Sequence, residues 1–146
     1  MADTHEYLVN TKFPEFSLYD DEKLVCRADI EGKWTVIFFY PKDDSPGCTL
    51  QSCSFRDQYE QFTEKGILLY GVSSDSISSH RSFKKKYNLQ YSLLSDNNSE
   101  LAKSLKLKRN FGFLDARVTF VINPYVKSKT CMWRDTFLPS YDRGWC

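Results

Sequence analysis

Apolar and polar positions fall into alternating strand-like and helix-like blocks along this chain. The clearest block is Thr35-Val36-Ile37-Phe38-Phe39-Tyr40, an unbroken β-branched and aromatic run that suits a strand buried on both faces of a mainly parallel sheet. Pro41 ends it. Beyond the next few residues, Leu50, Cys53, Tyr59 and Phe62 lie roughly along one side of a helical pattern and Arg56, Asp57, Glu60, Gln61 and Glu64 on the other, with Gly66 as the C-terminal stop. Ile67 to Ser73 reads as a second buried strand, which completes a β–α–β unit with a right-handed crossover.

The flanking segments are shorter. Residues 1–12 are polar and read as a loose lead-in, Phe13 to Leu18 as an edge strand with Pro14 near its start, Asp20 to Lys23 as a turn, and Leu24 to Cys26 as a short strand. Ser76 or Ser78 caps a helix that runs through Phe83 to Tyr87 and ends near Asn88. Lys84, Lys85 and Lys86 form its solvated face. Ser99 to Leu105 reads as a short helix, Lys106 to Ala116 as a flexible connection, Arg117 to Ile122 as a strand and Thr130 to Trp133 as a candidate edge strand. Phe137 to Cys146 contains Pro and Gly without a helical period, so no terminal helix is expected there. Strands alternating with helices give an α/β class and one domain over residues 1–146.

Composition narrows the function classes. A chain of 146 residues with 41% hydrophobic content buries a real core, and its formal net charge of +1 offers no footprint for nucleic acid or a membrane surface. No apolar run approaches the roughly 20 residues of a membrane span, and the N-terminus lacks a basic region followed by an apolar one. A reducing cytoplasm is the expected location. The five cysteines show neither Cys-x-x-Cys nor Cys/His zinc spacing, which argues against a disulfide scaffold and a metal site.

The chemistry gathers between the two strongest elements, in Pro41-Lys42-Asp43-Asp44-Ser45-Pro46-Gly47-Cys48-Thr49-Leu50-Gln51-Ser52-Cys53. Cys48 falls in the first turn of a helix that starts at the carboxyl end of a buried strand. Unpartnered N–H groups and the positive end of the helix dipole favour a thiolate there, which makes Cys48 a candidate nucleophile. Ser45 can bring a hydroxyl near the same sulfur, and Pro46 and Gly47 shape a tight turn that leaves the sulfur reachable. A corner cysteine taken alone simply packs, but this one has a second thiol five residues on. Along an intact helix the two would stand about 7.5 Å apart and about 140° around the axis from each other, beyond the roughly 7 Å Cα limit of a disulfide. A bond between them requires the first turns to unwind. Asp43 and Asp44 read as turn residues, His80 as a local packing or capping residue, His5 as part of the lead-in, and Cys26, Cys131 and Cys146 as passive thiols.

At these positions the sequence resembles the peroxiredoxins of the bacterioferritin-comigratory or Q type. Their Pro-x-x-x-Thr/Ser-x-x-Cys signature maps onto Pro41, Ser45 and Cys48, with similarity continuing through Phe55-Arg56-Asp57, Gly71 to Asp75, Ser79-His80, Leu93 to Asp96 and Arg117 to Ile122. It spans about residues 8 to 124. The resemblance implies a thioredoxin-like fold with a central mixed, mostly parallel sheet flanked by helices. It also implies a thiol peroxidase acting on hydrogen peroxide and organic hydroperoxides, with Cys48 as the peroxidatic thiol, Cys53 as the resolving thiol in a Cys48–Cys53 disulfide, and Arg117 facing the reactive sulfur. Thioredoxin or a similar dithiol protein would restore the thiols, no metal, haem or flavin is required, and a monomer or weak homodimer is expected. Departures begin after Ile122, where Asn123-Pro124-Tyr125-Val126-Lys127 lacks a turn glycine and residues 125–146 form a divergent tail. Two other readings of the thiol pair stand beside this one: a thioredoxin-like disulfide oxidoreductase, disfavoured without Cys-x-x-Cys, and a non-catalytic redox sensor.

Overall fold

The computed structural model describes residues 11–107, 109–110, 113–114, 117–125 and 127–133. Along them run β1 (Thr11–Lys12), β2 (Ser17–Tyr19), β3 (Leu24–Cys26), a 3-10 turn at Arg27–Ile30, β4 (Thr35–Phe39), α1 (Pro46–Asp57), α2 (Tyr59–Glu64), β5 (Leu68–Ser73), α3 (Ile77–Tyr87), β6 (Ser92–Ser95), α4 (Glu100–Ser104), β7 (Arg109–Asn110), β8 (Phe113–Leu114), β9 (Arg117–Ile122) and β10 (Lys127–Trp133). His5, Cys146 and the expected helix-free stretch from residue 137 lie outside the described residues, and Cys131 is described only by its backbone pairing with Thr119.

The central strand forms because Thr35–Phe39 is buried at every position. Its side chains alternate between two cores. Ile37 and Phe39 join Phe13, Phe16, Val72, Leu94, Leu101 and Phe120 on one face, whereas Val36, Phe38 and Tyr40 join Cys48, Phe55, Phe62, Phe83 and Tyr91 on the other. The second core holds α1 in place. Phe38 stacks on Phe55 of α1 at 4.5 Å between ring centroids, a contact worth about 0.5–1.5 kcal/mol beyond area burial. Gly71 makes room for this ring, since a Cβ there would lie 2.8 Å from Phe38 Cζ.

The sheet runs in the order β1-β10-β9-β4-β5-β6-β2-β3, with helices over its faces as the α/β expectation required. Among the described residues only β4–β5 and β5–β6 pair in parallel, while β9 lies antiparallel beside β4 with Phe39 opposite Val118. Parallel pairing is thus confined to the middle, and antiparallel pairs make up the flanks. Burial on both faces marked β4 as central without fixing the direction of both neighbours, and β9 is as apolar as β5.

Other expectations shift. The strand expected over Phe13 to Leu18 begins only at Ser17, because Phe13 and Phe16 turn into the core, 1% and 7% exposed, and meet edge to face at 5.9 Å. Nor is it an edge, since β2 pairs with both β3 and β6. The last residues of the lead-in, Thr11 and Lys12, pair with β10, which places β10 inside the sheet rather than at its edge. Within the connection expected over Lys106 to Ala116, β7 and β8 form a two-residue ladder. Ser76 caps α3 by accepting from Ser79 N–H at 3.1 Å, and Asn88 closes it in the left-handed region at φ 57°. No helix among the described residues is long and apolar enough to cross a membrane.

Candidate active site at the head of the first helix

The helix after β4 begins at Ser45, whose extended backbone makes it the N-cap while its hydroxyl donates to Lys42 O at 3.0 Å. Thr49 N–H donates to Ser45 O at 2.8 Å, so Gly47 and Cys48 N–H have no acceptor within the helix. Pro46 occupies the first helical position, where a missing N–H costs nothing. Cys48 therefore sits in the first turn as expected, but it is not open to solvent. It is 1% exposed, because the buried face of α1 is Cys48, Gln51, Ser52 and Phe55, an i, i+3, i+4, i+7 stripe.

That stripe corrects the face expected from the sequence. Leu50 is 56% exposed and Cys53 half-buried, so the apolar side of α1 is rotated away from both. Tyr59 and Phe62 of α2 do fall on the packed side, at i+4 and i+7 from Phe55, so the stripe runs on past the backbone break at Gln58 (φ −104°, ψ 4°) and only Leu50 and Cys53 lie off it. Gln51 and Ser52 hid the stripe because both are polar. Tyr91 fixes this face by donating its buried hydroxyl to Ser52 O at 2.8 Å, and burial pushes its phenol far up. Both amide atoms of fully buried Gln51 lack hydrogen-bond partners among the described residues, one turn from Cys48.

Arg117 arrives from the far end of the chain. The antiparallel register that sets Phe39 opposite Val118 carries Arg117, the first residue of β9, to the end of β4 where Pro41 turns the chain. Its guanidinium lies against Gly47, so closely that a Cβ on Gly47 would stand 2.6 Å from Nη1 and 3.1 Å from Cζ. Glycine immediately before Cys48 is thus a condition for a cation at that place. Pro41 is half-buried at the strand end. Cys53 lies on the other side of α1 as a free thiol. Burial pushes its thiol above the ordinary range, with Arg56 opposing and Asp57 adding to the rise.

The loop between β4 and α1 carries what sequence reasoning missed. Asp43 is 8% exposed, and its Oδ1 accepts from Tyr40 OH at 2.6 Å while Oδ2 accepts from Ser79 Oγ at 2.8 Å and meets His80 Nδ1 at 2.8 Å. Asp44, in the left-handed region at φ 63°, is held by Lys86 Nζ and Tyr87 OH, each at 2.8 Å. These bonds keep its carboxyl below the usual range, Lys86 foremost. Asp43, Asp75 and His80 bring ligand-type atoms within 4.8 Å of one another, yet Asp43 N–H and Ser73 Oγ already donate to Asp75 Oδ2 at 2.8 and 2.7 Å. Hydrogen bonds account for the cluster. The turn reading of Asp44 stands, and that of Asp43 omitted a side chain that enters the core. Two of its three side-chain partners, Ser79 and His80, lie 36 and 37 residues away, beyond any local pattern.

The AhpC/TSA family profile matches residues 9–128, which takes in the loop, both thiols and β9. The chain belongs to the AhpC/TSA family. Among AhpC/TSA proteins it sides with the peroxiredoxin Q and Bcp type. It is 45% identical over 112 residues to the chloroplastic peroxiredoxin Q of Suaeda salsa, covering 75% of this chain and 52% of that one. Against the putative peroxiredoxin bcp of Coxiella burnetii it is 42% identical over 108 residues, covering 71% and 72%. The chain spans about half the length of the chloroplastic relatives it matches. A crystal structure of a mutant PrxQ from Xylella fastidiosa superposes with a TM-score of 0.81 at 26% identity, over 92% of this chain and 90% of that one. The bacterioferritin comigratory protein of Xanthomonas campestris gives 0.74 at 29%, over 83% and 81%. The thioredoxin-like peroxiredoxin fold expected from the sequence is the fold found.

Proposed function

We propose that this chain is a thiol peroxidase that reduces hydrogen peroxide and organic hydroperoxides. The Cys48 thiolate attacks the terminal peroxide oxygen, the O–O bond breaks, and the leaving oxygen takes a proton to depart as water or an alcohol while Cys48 becomes a sulfenic acid. Cys53 then attacks the Cys48 sulfur, releasing water and forming a Cys48–Cys53 disulfide. A dithiol protein such as thioredoxin reduces that bond and carries the oxidation away as its own disulfide. Arg117 holds the thiolate and the peroxide oxygens by forked donation, Pro41 shields the approach, and Ser45 brings a hydroxyl to the same end of α1 that must leave Lys42 O before it donates to the peroxide.

The observation that carries this reading is the Arg117 guanidinium lying on Gly47, next to a cysteine in the first turn of α1. A cysteine that merely packed would need no cation at its N-terminal neighbour. Organic hydroperoxides enter the proposal through the Xanthomonas campestris protein, whose structure is described in terms of alkyl peroxide reduction. We place the protein in the cytoplasm, as a monomer or weak homodimer with no nucleic-acid or membrane partner.

The test is Cys48→Ser. Peroxide consumption with thioredoxin and its reductase should fall to background, since a neutral hydroxyl is a far poorer nucleophile than a thiolate. Retained activity in that variant would end the assignment, and a wild type oxidised once without turnover would favour a redox sensor instead.

A further inference from the structure

The loop that delivers Cys48 is held by α3, and one residue of that helix ties the loop to β6. His80 is 1% exposed. Its Nε2 lies 3.1 Å from Leu94 O, and a carbonyl only accepts, so Nε2 carries a proton. Its Nδ1 lies 2.8 Å from Asp43 Oδ2. Tyr40 and Ser79 already donate to the Asp43 carboxyl, so a single proton on the Nδ1–Oδ2 line completes the set. Asp43 is pinned through its backbone as well, by its N–H on Asp75 Oδ2 at 2.8 Å. Tyr40, Ser79 and His80 together leave the carboxyl group five residues before Cys48 no rotational freedom, and His80 alone of the three also reaches β6.

A buried pair of this kind adds little net stability over a well-packed apolar substitute, so its presence is better explained by the geometry it imposes. That geometry is the start of α1. Asp43 and Asp44 are tied to α3 in succession, the second through Lys86 and Tyr87, and the backbone between Asp44 and Cys48 then has only Ser45, Pro46 and Gly47 in which to turn. We propose that His80 is a positioning residue for the peroxide chemistry, acting through Asp43 to fix the loop that sets Cys48 against Arg117. The inference rests on the thiol-peroxidase reading of Cys48.

Two substitutions separate this role from simple packing. In His80→Asn the amide nitrogen falls near the place of Nδ1 and can donate to Asp43, but the tie to Leu94 is lost. In His80→Gln the longer amide reaches Leu94 O and the donor to Asp43 is lost. The second-order rate of Cys48 with hydrogen peroxide should fall about ten- to a hundredfold in His80→Gln, as expected for a misplaced reacting group, and recover to within about threefold of wild type in His80→Asn. Asp43→Ala, which removes the Tyr40 and Ser79 bonds as well, should be at least as slow as His80→Gln, and the double variant should be no slower than Asp43→Ala. Amide exchange over residues 42–49 should quicken in His80→Gln and Asp43→Ala and not in His80→Asn. A slower Asn variant would overturn the proposal in favour of a tie between α3 and β6, and equal rates in the Asn and Gln variants would overturn it outright. If His80→Gln fails to fold, His80→Ala against His80→Asn decides the matter, an equal rate in the two overturning the proposal. If wild type consumes no peroxide the functional reading fails, and the exchange comparison still decides whether His80 holds the loop.

Discussion

Replacing Gly47 with alanine perturbs the site at one atom. The added methyl would sit 2.6 Å from Arg117 Nη1, whereas non-bonded heavy atoms settle near 3.5 Å, so the guanidinium must retreat by about 0.9 Å. The fold gives way easily here. Gly47 has a backbone conformation open to any residue, the obstruction is the tip of a long side chain, and alanine in place of glycine in a helix contributes up to about 1 kcal/mol. Melting temperature should therefore stay level or rise slightly. The chemistry has no such slack, because a displacement of about 1 Å in a positioned group can cost on the order of a hundredfold in rate. Stopped-flow measurement of Cys48 oxidation should show that loss in Gly47→Ala. A control shows whether it acts through the arginine: in an Arg117→Ala background, Gly47→Ala should have almost no further effect. An unchanged rate in the single variant, or two full penalties adding in the double, would refute the reasoning.

Oxidation should melt the head of α1: with Cys48 and Cys53 bonded, amide protection over residues 48–53 should drop while Tyr59–Glu64 keeps its own, and an oxidised structure with α1 unbroken through both sulfurs would contradict this. In Cys53→Ser the same treatment should stop at the Cys48 sulfenic acid, trappable by dimedone and visible by mass spectrometry, with over-oxidation rising under excess peroxide. Because burial holds the Cys53 thiol above its ordinary range, its thiolate fraction at neutral pH is smaller than that of a free cysteine. Disulfide formation after the sulfenic acid should therefore quicken as pH rises through and beyond that range, and a rate flat from about pH 7 to 9 would count against it.

Much of this was legible where local pattern and burial coincide. Thr35–Phe39 was found because every side chain in it is apolar or β-branched and every one is buried, and Arg117–Ile122 because the same pattern recurs after a polar stretch. Cys48 at a helix head followed from Pro41, Pro46 and Gly47, whose backbone limits act within a few residues. What escaped was set by tertiary partners. The inward side of α1 is polar at Gln51 and Ser52, so an apolar count chose Leu50 instead, although Tyr59 and Phe62 carry the same stripe onward. Phe13 and Phe16 enter the core from irregular backbone, which no strand period marks. Asp43 reads as a turn residue until Tyr40, Ser79 and His80 surround it, and such a cluster has no spacing rule across 37 residues. Arg117 beside Gly47 depends on the antiparallel register of β9, which burial alone does not specify.

The interruption at Gln58 has a bearing on how far a redox event can spread. Its N–H turns to Ser54 O and Phe55 O at 3.2 and 3.1 Å, and its side-chain amide donates to Ser54 O at 3.3 Å, so one residue closes the first helix on its own carbonyls. Helix melting propagates along a ladder of hydrogen bonds, and here the ladder passes through a single residue, since Gln58 O accepts in turn from Gln61 and Phe62 N–H at 3.0 and 3.3 Å. Residues past the break are anchored separately, by Phe62 in the core and by Ile67 N–H on Phe62 O at 2.9 Å. Under the proposed cycle, the two turns that carry Cys48 and Cys53 can be spent and rebuilt while these anchors beyond Gln58 hold the entry to β5 in place.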